Sequence, residues 1–187
     1  ATKAPHRSTE EAAITAMIIE NEESAAPPAL PSSDKPSLAI IITDLGLSTK
    51  NTEEIIKNFP KGVSMAFSPY SDGLDLLAKT ATESGHEAWL MLPMETVDYP
   101  NVDPGPLTLL SGGNIEQNID RVEQIITGSQ GFKGFIATKG HIFKNEDSNI
   151  NPAIQKIFEN KLAIIDSNNT QQSFVYDIAY KNDYPYG

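Results

Sequence analysis

The sequence predicts an α/β fold built on parallel strands. Three observations carry this reading. Leu38-Ala39-Ile40-Ile41-Ile42 is a continuous apolar run, strand-like and helix-like segments alternate after it, and residues 114–127 place Ile115, Ile119, Val122 and Ile126 on one helical face. Continuous apolar strands belong to sheets whose faces are both covered, and β-then-α alternation implies right-handed crossovers between parallel strands.

The folded region begins at Ser37, with the apolar run as its first strand. Residues 51–59 follow as a helix, with Asn51 and Glu54 at capping-box spacing, and 63–67 form the second strand. A helix over 74–84 and a third strand over 87–92 come next. The amphipathic helix over 114–127 leads to a fourth strand over 134–138. Pro152 opens a helix running to about Asn160, 162–165 make a fifth strand ending in Asp166-Ser167, and 173–181 are again helical. Pattern alone leaves three architectures open: a doubly wound sheet, a distorted barrel, or a barrel cut short.

Residues 1–36 differ in texture. They are rich in Ala, Pro, Ser and Glu and bury too little apolar area to offset their ordering entropy, so they read as a disordered acidic linker. Ile14, Met17 and Ile18 fall at helical spacing within it, and no function is assigned to them. The domain is expected over 37–187.

Composition excludes several classes of function. A net charge of -11 across 187 residues, without a Lys/Arg cluster, argues against nucleic acid. The chain has no cysteine, which removes disulfides, thiolate zinc sites and a Cys nucleophile. No apolar run reaches the roughly 18–20 residues that span a bilayer, and the basic-then-apolar order of a signal peptide is missing, so the chain as given reads as soluble. Neither a phosphate-binding glycine loop nor a Gly-x-Ser-x-Gly elbow occurs.

In parallel α/β folds chemistry gathers where strands end. Those ends carry Thr43-Asp44, Ser68-Pro69-Tyr70, Met91 through Glu95, Thr138 through His141, and Asp166-Ser167-Asn168. Asp44 is placed as a base or metal ligand, and equally as an Asx-turn or helix-capping residue. Glu95 sits behind Pro93 as a ligand or substrate acceptor, with plain surface solvation as the competing account. Of the histidines, His6 lies in the linker. His86 precedes its strand and reads as structural, whereas His141 is placed to share a metal with Asp44. Tyr70 and Tyr99 are the aromatic candidates for sugar stacking, and Trp89 alternates into the core.

Taken in order, several segments resemble the divergent polysaccharide deacetylase family. They are Ile41-Ile42-Thr43-Asp44-Leu45-Gly46, Ala66-Phe67-Ser68-Pro69-Tyr70, Gly85-His86-Glu87, Leu92-Pro93-Met94-Glu95, Tyr99-Pro100, Asp103-Pro104-Gly105-Pro106-Leu107 and Ile165-Asp166-Ser167. The resemblance implies a distorted (β/α) barrel of the glycoside hydrolase/deacetylase type, incomplete at its C-terminal end. It also implies a periplasmic or extracytoplasmic location and an ancestral activity on acetylated polysaccharide or cell-wall glycan. In that chemistry a divalent metal such as zinc polarises the carbonyl and its water.

The candidate set is then Asp44, Glu95 and Asp166 for catalysis, Tyr70, Tyr99 and Ser167 for substrate, and Asp44 with His141 for metal. Against the family pattern, Thr43 replaces the first of two acidic residues, Met91 replaces a histidine, and Thr138-Lys139-Gly140 stands where another histidine is expected. Those replacements leave too few ligands for tight zinc binding and imply impaired hydrolysis, with a non-catalytic glycan- or protein-binding envelope module as the alternative. The family domain continues beyond the position of Gly187, so an exposed parallel edge and oligomerisation are expected of the chain as given.

Overall fold

A computed structural model of the chain describes residues 38–137, 142, 149–167 and 174–184. All lie in the unit spanning 37–187. Within it, strands and helices alternate throughout: β1 (Ile41–Leu45), α1 (Thr49–Asn58), β2 (Ser64–Phe67), α2 (Leu74–Glu83), β3 (Ala88–Leu92), α3 (Ile115–Thr127), β4 (Gly134–Ala137), α4 (Asn151–Glu159), β5 (Ala163–Asp166) and α5 (Phe174–Asn182).

The five strands form one sheet in the order β1-β2-β3-β4-β5, every pair parallel. A doubly wound sheet reverses its strand order at a switch point, and no reversal occurs here. Right-handed crossovers that always step the same way keep their helices on one side, as in a barrel wall. The architecture is thus α/β and compatible with a distorted barrel.

Burial follows this asymmetry. Met65, Phe67, Leu90, Leu92, Phe135, Ala137 and Ile164 point to the helices and join Ile56, Ala78, Val122, Ile154 and Ile178 in the main core. Ala66, Trp89, Met91 and Ile136 point the other way, packed with Ile41, Ala163 and Ile165 in a cluster made of strand residues alone. Trp89 lies opposite Ala66 on β2, and one step along β3 Leu90 pairs Phe135, which sets the indole beside Gly134. Small neighbours leave the indole room to lie across the sheet, so Trp89 is core, as alternation predicts.

Two boundaries differ from expectation. β1 begins at Ile41, and Leu38 and Ile40 are exposed. The last contact with β2 is the Ser64 amide donating to the Ile40 carbonyl at 2.9 Å, so paired strand begins at Ile41 and the side chains before it extend past β2 into solvent. The first helix is capped at Ser48 rather than Asn51. The Thr52 amide donates to the Ser48 carbonyl at 2.9 Å, closing the first turn so that the helix winds from Thr49, while the Thr52 hydroxyl accepts from the Gly46 amide at 2.9 Å. The third helix lies where the sequence places it, with Asn114 as its cap, the side chain accepting from the Glu116 amide at 2.7 Å, but its buried residues are Asn118, Val122 and Ile125, and Ile115 in its first turn is exposed. His86 is buried, its ring bridging the carbonyls of Val63 and Ile56 at the end of the sheet away from the mouth.

Candidate functional site at the mouth of the sheet

Asp44 owes its position to an irregularity in β1. Ile42 pairs with Met65 and Leu45 with Phe67, so β1 carries one residue more than β2 across that interval. Ile42 and Leu45 both pack in the helix-side core, which leaves Thr43 and Asp44 together on the other side. Ordinary alternation would have separated them. The Thr43 hydroxyl donates to Asp44 Oδ2 at 2.8 Å, and both residues are exposed.

Asp44 adopts φ 61°, a conformation that costs a non-glycine residue roughly 1–2 kcal/mol. The extra residue in β1 turns the backbone at this point, and Asp is among the few residues that visit this region readily.

The long connection between β3 and α3 forms the opposite rim. Its two limbs run parallel, with Met94 bridged to Leu109, the Leu109 amide on the Pro93 carbonyl and the Glu95 amide on the Leu109 carbonyl. Glu95 closes the return: its Oε2 accepts from the Ser111 amide at 2.7 Å and from the Ser111 hydroxyl at 2.9 Å. The carboxylate is half-buried and holds the loop. Asn149 donates to the Ser111 carbonyl at 2.8 Å and ties this rim to the segment before α4.

Tyr70 clasps the same loop from the β2–α2 connection. Its hydroxyl accepts from the Leu107 amide at 3.1 Å, and its ring lies against Gly105, where an added Cβ would sit 2.6 Å from the phenol. Gly105 has φ 118°, open to glycine almost alone. Asp103 accepts from the Gly105 amide at 2.9 Å, shaping that turn.

Burial pushes the Tyr70 phenol above its ordinary value of 10.0, with the Asp103 carboxylate adding to the rise and the Leu107 bond opposing it. A raised folded-state value means that the unfolded chain loses its proton first. Stability from this group is therefore complete below pH 10 and falls as pH rises beyond it. Urea unfolding between pH 8 and about 11 is expected to show this alkaline decline, and Tyr70→Phe to lose that part of it. An unchanged slope in the variant would mean that the phenol is not desolvated.

Sequence reasoning missed the brace beneath this rim. Asn118 is fully buried; its amide donates to the carbonyls of Leu110 and Asn149, and its Oδ1 accepts from the Leu110 amide. Arg121 donates to the Thr108 carbonyl at 2.8 Å. The available signal was Asn118 itself, a polar residue on the apolar stripe between Ile115 and Val122.

The other candidates are dispersed. Tyr99 is half-buried in the rim loop. Ser167 donates to the Ala137 carbonyl at 2.6 Å, tying the ends of β5 and β4 together. Asp166 follows Ile164 in alternation and so inclines to the helix side, opposite to Ile165. His141, Thr138 and Asn168, like the linker over 1–36, lie outside the described residues.

The metal implied by the resemblance finds a poor donor set. Asp44 Oδ2 already accepts a hydrogen bond from the Thr43 hydroxyl, and Met91 lies in the inward apolar cluster with Trp89. Among the described residues, no three His, Cys, Asp or Glu side chains converge. Zinc takes roughly three or four protein ligands, more than the described residues bring together. The three described mouth loops, 43–48, 68–73 and 93–114, carry Asp44, Asp72, Glu95, Asp98 and Asp103 with no Lys or Arg. At the opposite end of the sheet the connections hold Lys61, Lys133 and Lys161.

Comparison with known proteins agrees with this fold. An uncharacterised protein of Agrobacterium tumefaciens C58, known from a crystal structure, matches with a TM-score of 0.74 and 30% sequence identity. The match covers 84% of this chain and 65% of that one, so this chain spans less than two thirds of the neighbour's length. No curated protein matches. No helix among the described residues is long and apolar enough to cross a membrane. The family model for divergent polysaccharide deacetylases matches residues 40–187, from the start of β1 through the mouth loops to the last residue given, and the chain belongs to that family.

Proposed function

We propose that this chain is a deacetylase-like protein of carbohydrate and cell-envelope metabolism, acting outside the cytoplasm, in which metal-dependent hydrolysis is impaired. Met91 carries the reading. Where the family pattern has an imidazole, this chain puts a thioether into the apolar cluster around Trp89. A thioether neither takes up a proton nor suits zinc as an imidazole does. Family membership supports polysaccharide as the substrate class and a location in the envelope. A non-catalytic glycan-binding role is the second reading, favoured by the hydrogen bond that already occupies Asp44.

Calorimetry with zinc, manganese and cobalt tests the proposal. No binding at micromolar affinity is expected, nor any acetate release from acetylated glycans above the rate in buffer. Micromolar binding that disappears in Asp44→Ala, together with acetate release, would overturn it.

A further inference from the structure

We propose that the rim of the mouth is a docking surface for a basic polypeptide segment, one whose apolar side chains are interleaved with Lys or Arg. This goes beyond the carbohydrate reading and does not depend on hydrolysis.

Exposed apolar side chains gather at one end of the domain. Among the described residues eleven large ones are exposed, and six of them, Leu47, Tyr70, Leu76, Val97, Val102 and Ile115, lie in the three described mouth loops or in the first turns of α2 and α3. Apolar side chains scattered singly are ordinary on a surface, whereas a group of them marks an interaction site. Four of the six are aliphatic and open to solvent: Leu47 is 70% exposed, Leu76 64%, Val97 74% and Val102 55%.

The chain that carries them is tied down. Val97 and Val102 share one turn, in which the Thr96 hydroxyl donates to the Val102 carbonyl and the Val102 amide to the Asp98 carbonyl, both at 3.1 Å. Leu47 follows Gly46, whose missing Cβ leaves room for Ser71, and Ser71 stands just ahead of α2, with Leu76 in its first turn. Glu95, Tyr70 and Asn118 pin the long loop beneath. These side chains are therefore held outward before a partner arrives, and a surface ordered in advance loses little freedom on binding.

The chemistry of the rim selects the occupant. Aliphatic side chains offer no ring face for a sugar, and Tyr70, the aromatic among the six, has its ring against Gly105 and its hydroxyl on the Leu107 amide. Apolar side chains of another polypeptide are what such residues bury well. Carboxylates alternate with them: Asp75 precedes Leu76, Asp98 follows Val97 and Asp103 follows Val102, and all three are exposed. The cations at this end among the described residues are Lys50 in the first turn of α1 and Arg121 on α3, the latter donating to the Thr108 carbonyl at 2.8 Å, so carboxylates outnumber them. Like charge turns away a second copy of this chain, nucleic acid and an anionic membrane. A segment with Lys or Arg between its apolar residues meets both features of the rim.

The test is calorimetric titration of the full chain, in about 150 mM salt, with a helical peptide of leucine and lysine. The comparison probes are a lysine/serine peptide of equal length and charge, a leucine/glutamate peptide, and phosphatidylglycerol vesicles. Expected is micromolar binding of the leucine/lysine peptide, binding of the lysine/serine peptide weaker by about tenfold or more, and none of the other two. Val97→Ser combined with Val102→Ser weakens binding about tenfold while the unfolding free energy is unchanged, and so does Leu47→Ser combined with Leu76→Ser. Asp98→Asn weakens it about threefold. Tyr180→Ser and Asp120→Asn, at exposed positions on α5 and α3, change affinity by less than about twofold.

Equal binding of the two lysine peptides would reduce the effect to net charge and overturn the proposal. So would a loss in Tyr180→Ser equal to that of the valine pair, binding of the vesicles or of the leucine/glutamate peptide, or no binding of the leucine/lysine peptide. Failure of the impaired-hydrolysis reading registers separately, as acetate release in the presence of metal.

Discussion

Replacing His86 with alanine is expected to destabilise the domain by about 3 kcal/mol, because a large buried ring is lost together with the hydrogen bond that its one N–H donates to a buried carbonyl. The ring lies between Val63 O at 2.9 Å and Ile56 O at 3.0 Å and is almost fully buried. Ile56 belongs to the last turn of α1, where its carbonyl would ordinarily accept from the amide four residues on. That residue is Pro60, which has no N–H. His86 supplies the missing donor from across the fold, joining α1, the start of β2 and the start of β3. Urea unfolding of His86→Ala measures the cost, and a loss below about 1 kcal/mol would show that water substitutes for the ring. Affinity for the leucine/lysine peptide is expected to be unchanged at temperatures where the variant is folded, because the bracket sits at the far end of the sheet from the mouth.

Gly46→Ala is expected to cost about 3 kcal/mol by a different route, backbone strain added to overpacking. Gly46 has φ 99°, and a Cβ there would collide with the Ser71 hydroxyl and lie 2.7 Å from Ser71 Cβ. Ser71 cannot turn aside freely, because its hydroxyl donates to the Ser68 carbonyl at 2.8 Å while the Ser68 amide holds the Leu45 carbonyl at 2.8 Å. The clash therefore pushes the β1 and β2 mouth loops apart beside Leu47, and peptide binding is expected to fall with stability. Gly62→Ala separates the two contributions. Its φ of 89° is similar, yet nothing lies within 4 Å of the added Cβ, so only the strain of about 1 kcal/mol should appear. Equal losses at the two glycines would refute the role given to Ser71.

The binding and unfolding measurements are informative together. A variant that loses affinity while keeping its unfolding free energy acts on the mouth itself, as expected of Val97→Ser combined with Val102→Ser. One that loses both, like Gly46→Ala, acts through the loops that carry the mouth.

The order of elements was legible in the sequence because each one announces itself locally. Apolar continuity marked the strands, Pro152 marked a helix start, and the period of Ile119, Val122 and Ile126 marked the core side of α3, although Ile115 at its first turn is exposed. Replacement of the expected ligands by Thr43 and Met91 was equally plain, since residue identity needs no fold. Strand order was not local. Doubly wound and barrel-like sheets share the same β-α alternation, and only the pairing of each strand with its successor decides between them. Nor did spacing show that Thr43 and Asp44 share a side, because alternation places neighbours apart and the extra residue in β1 is defined only against β2. The sequence determined which chemical groups this protein has at its strand ends. Their partners, Ser111 for Glu95 and Leu107 for Tyr70, were decided by tertiary structure, because a hydrogen bond depends on distance in space and those residues are far apart along the chain.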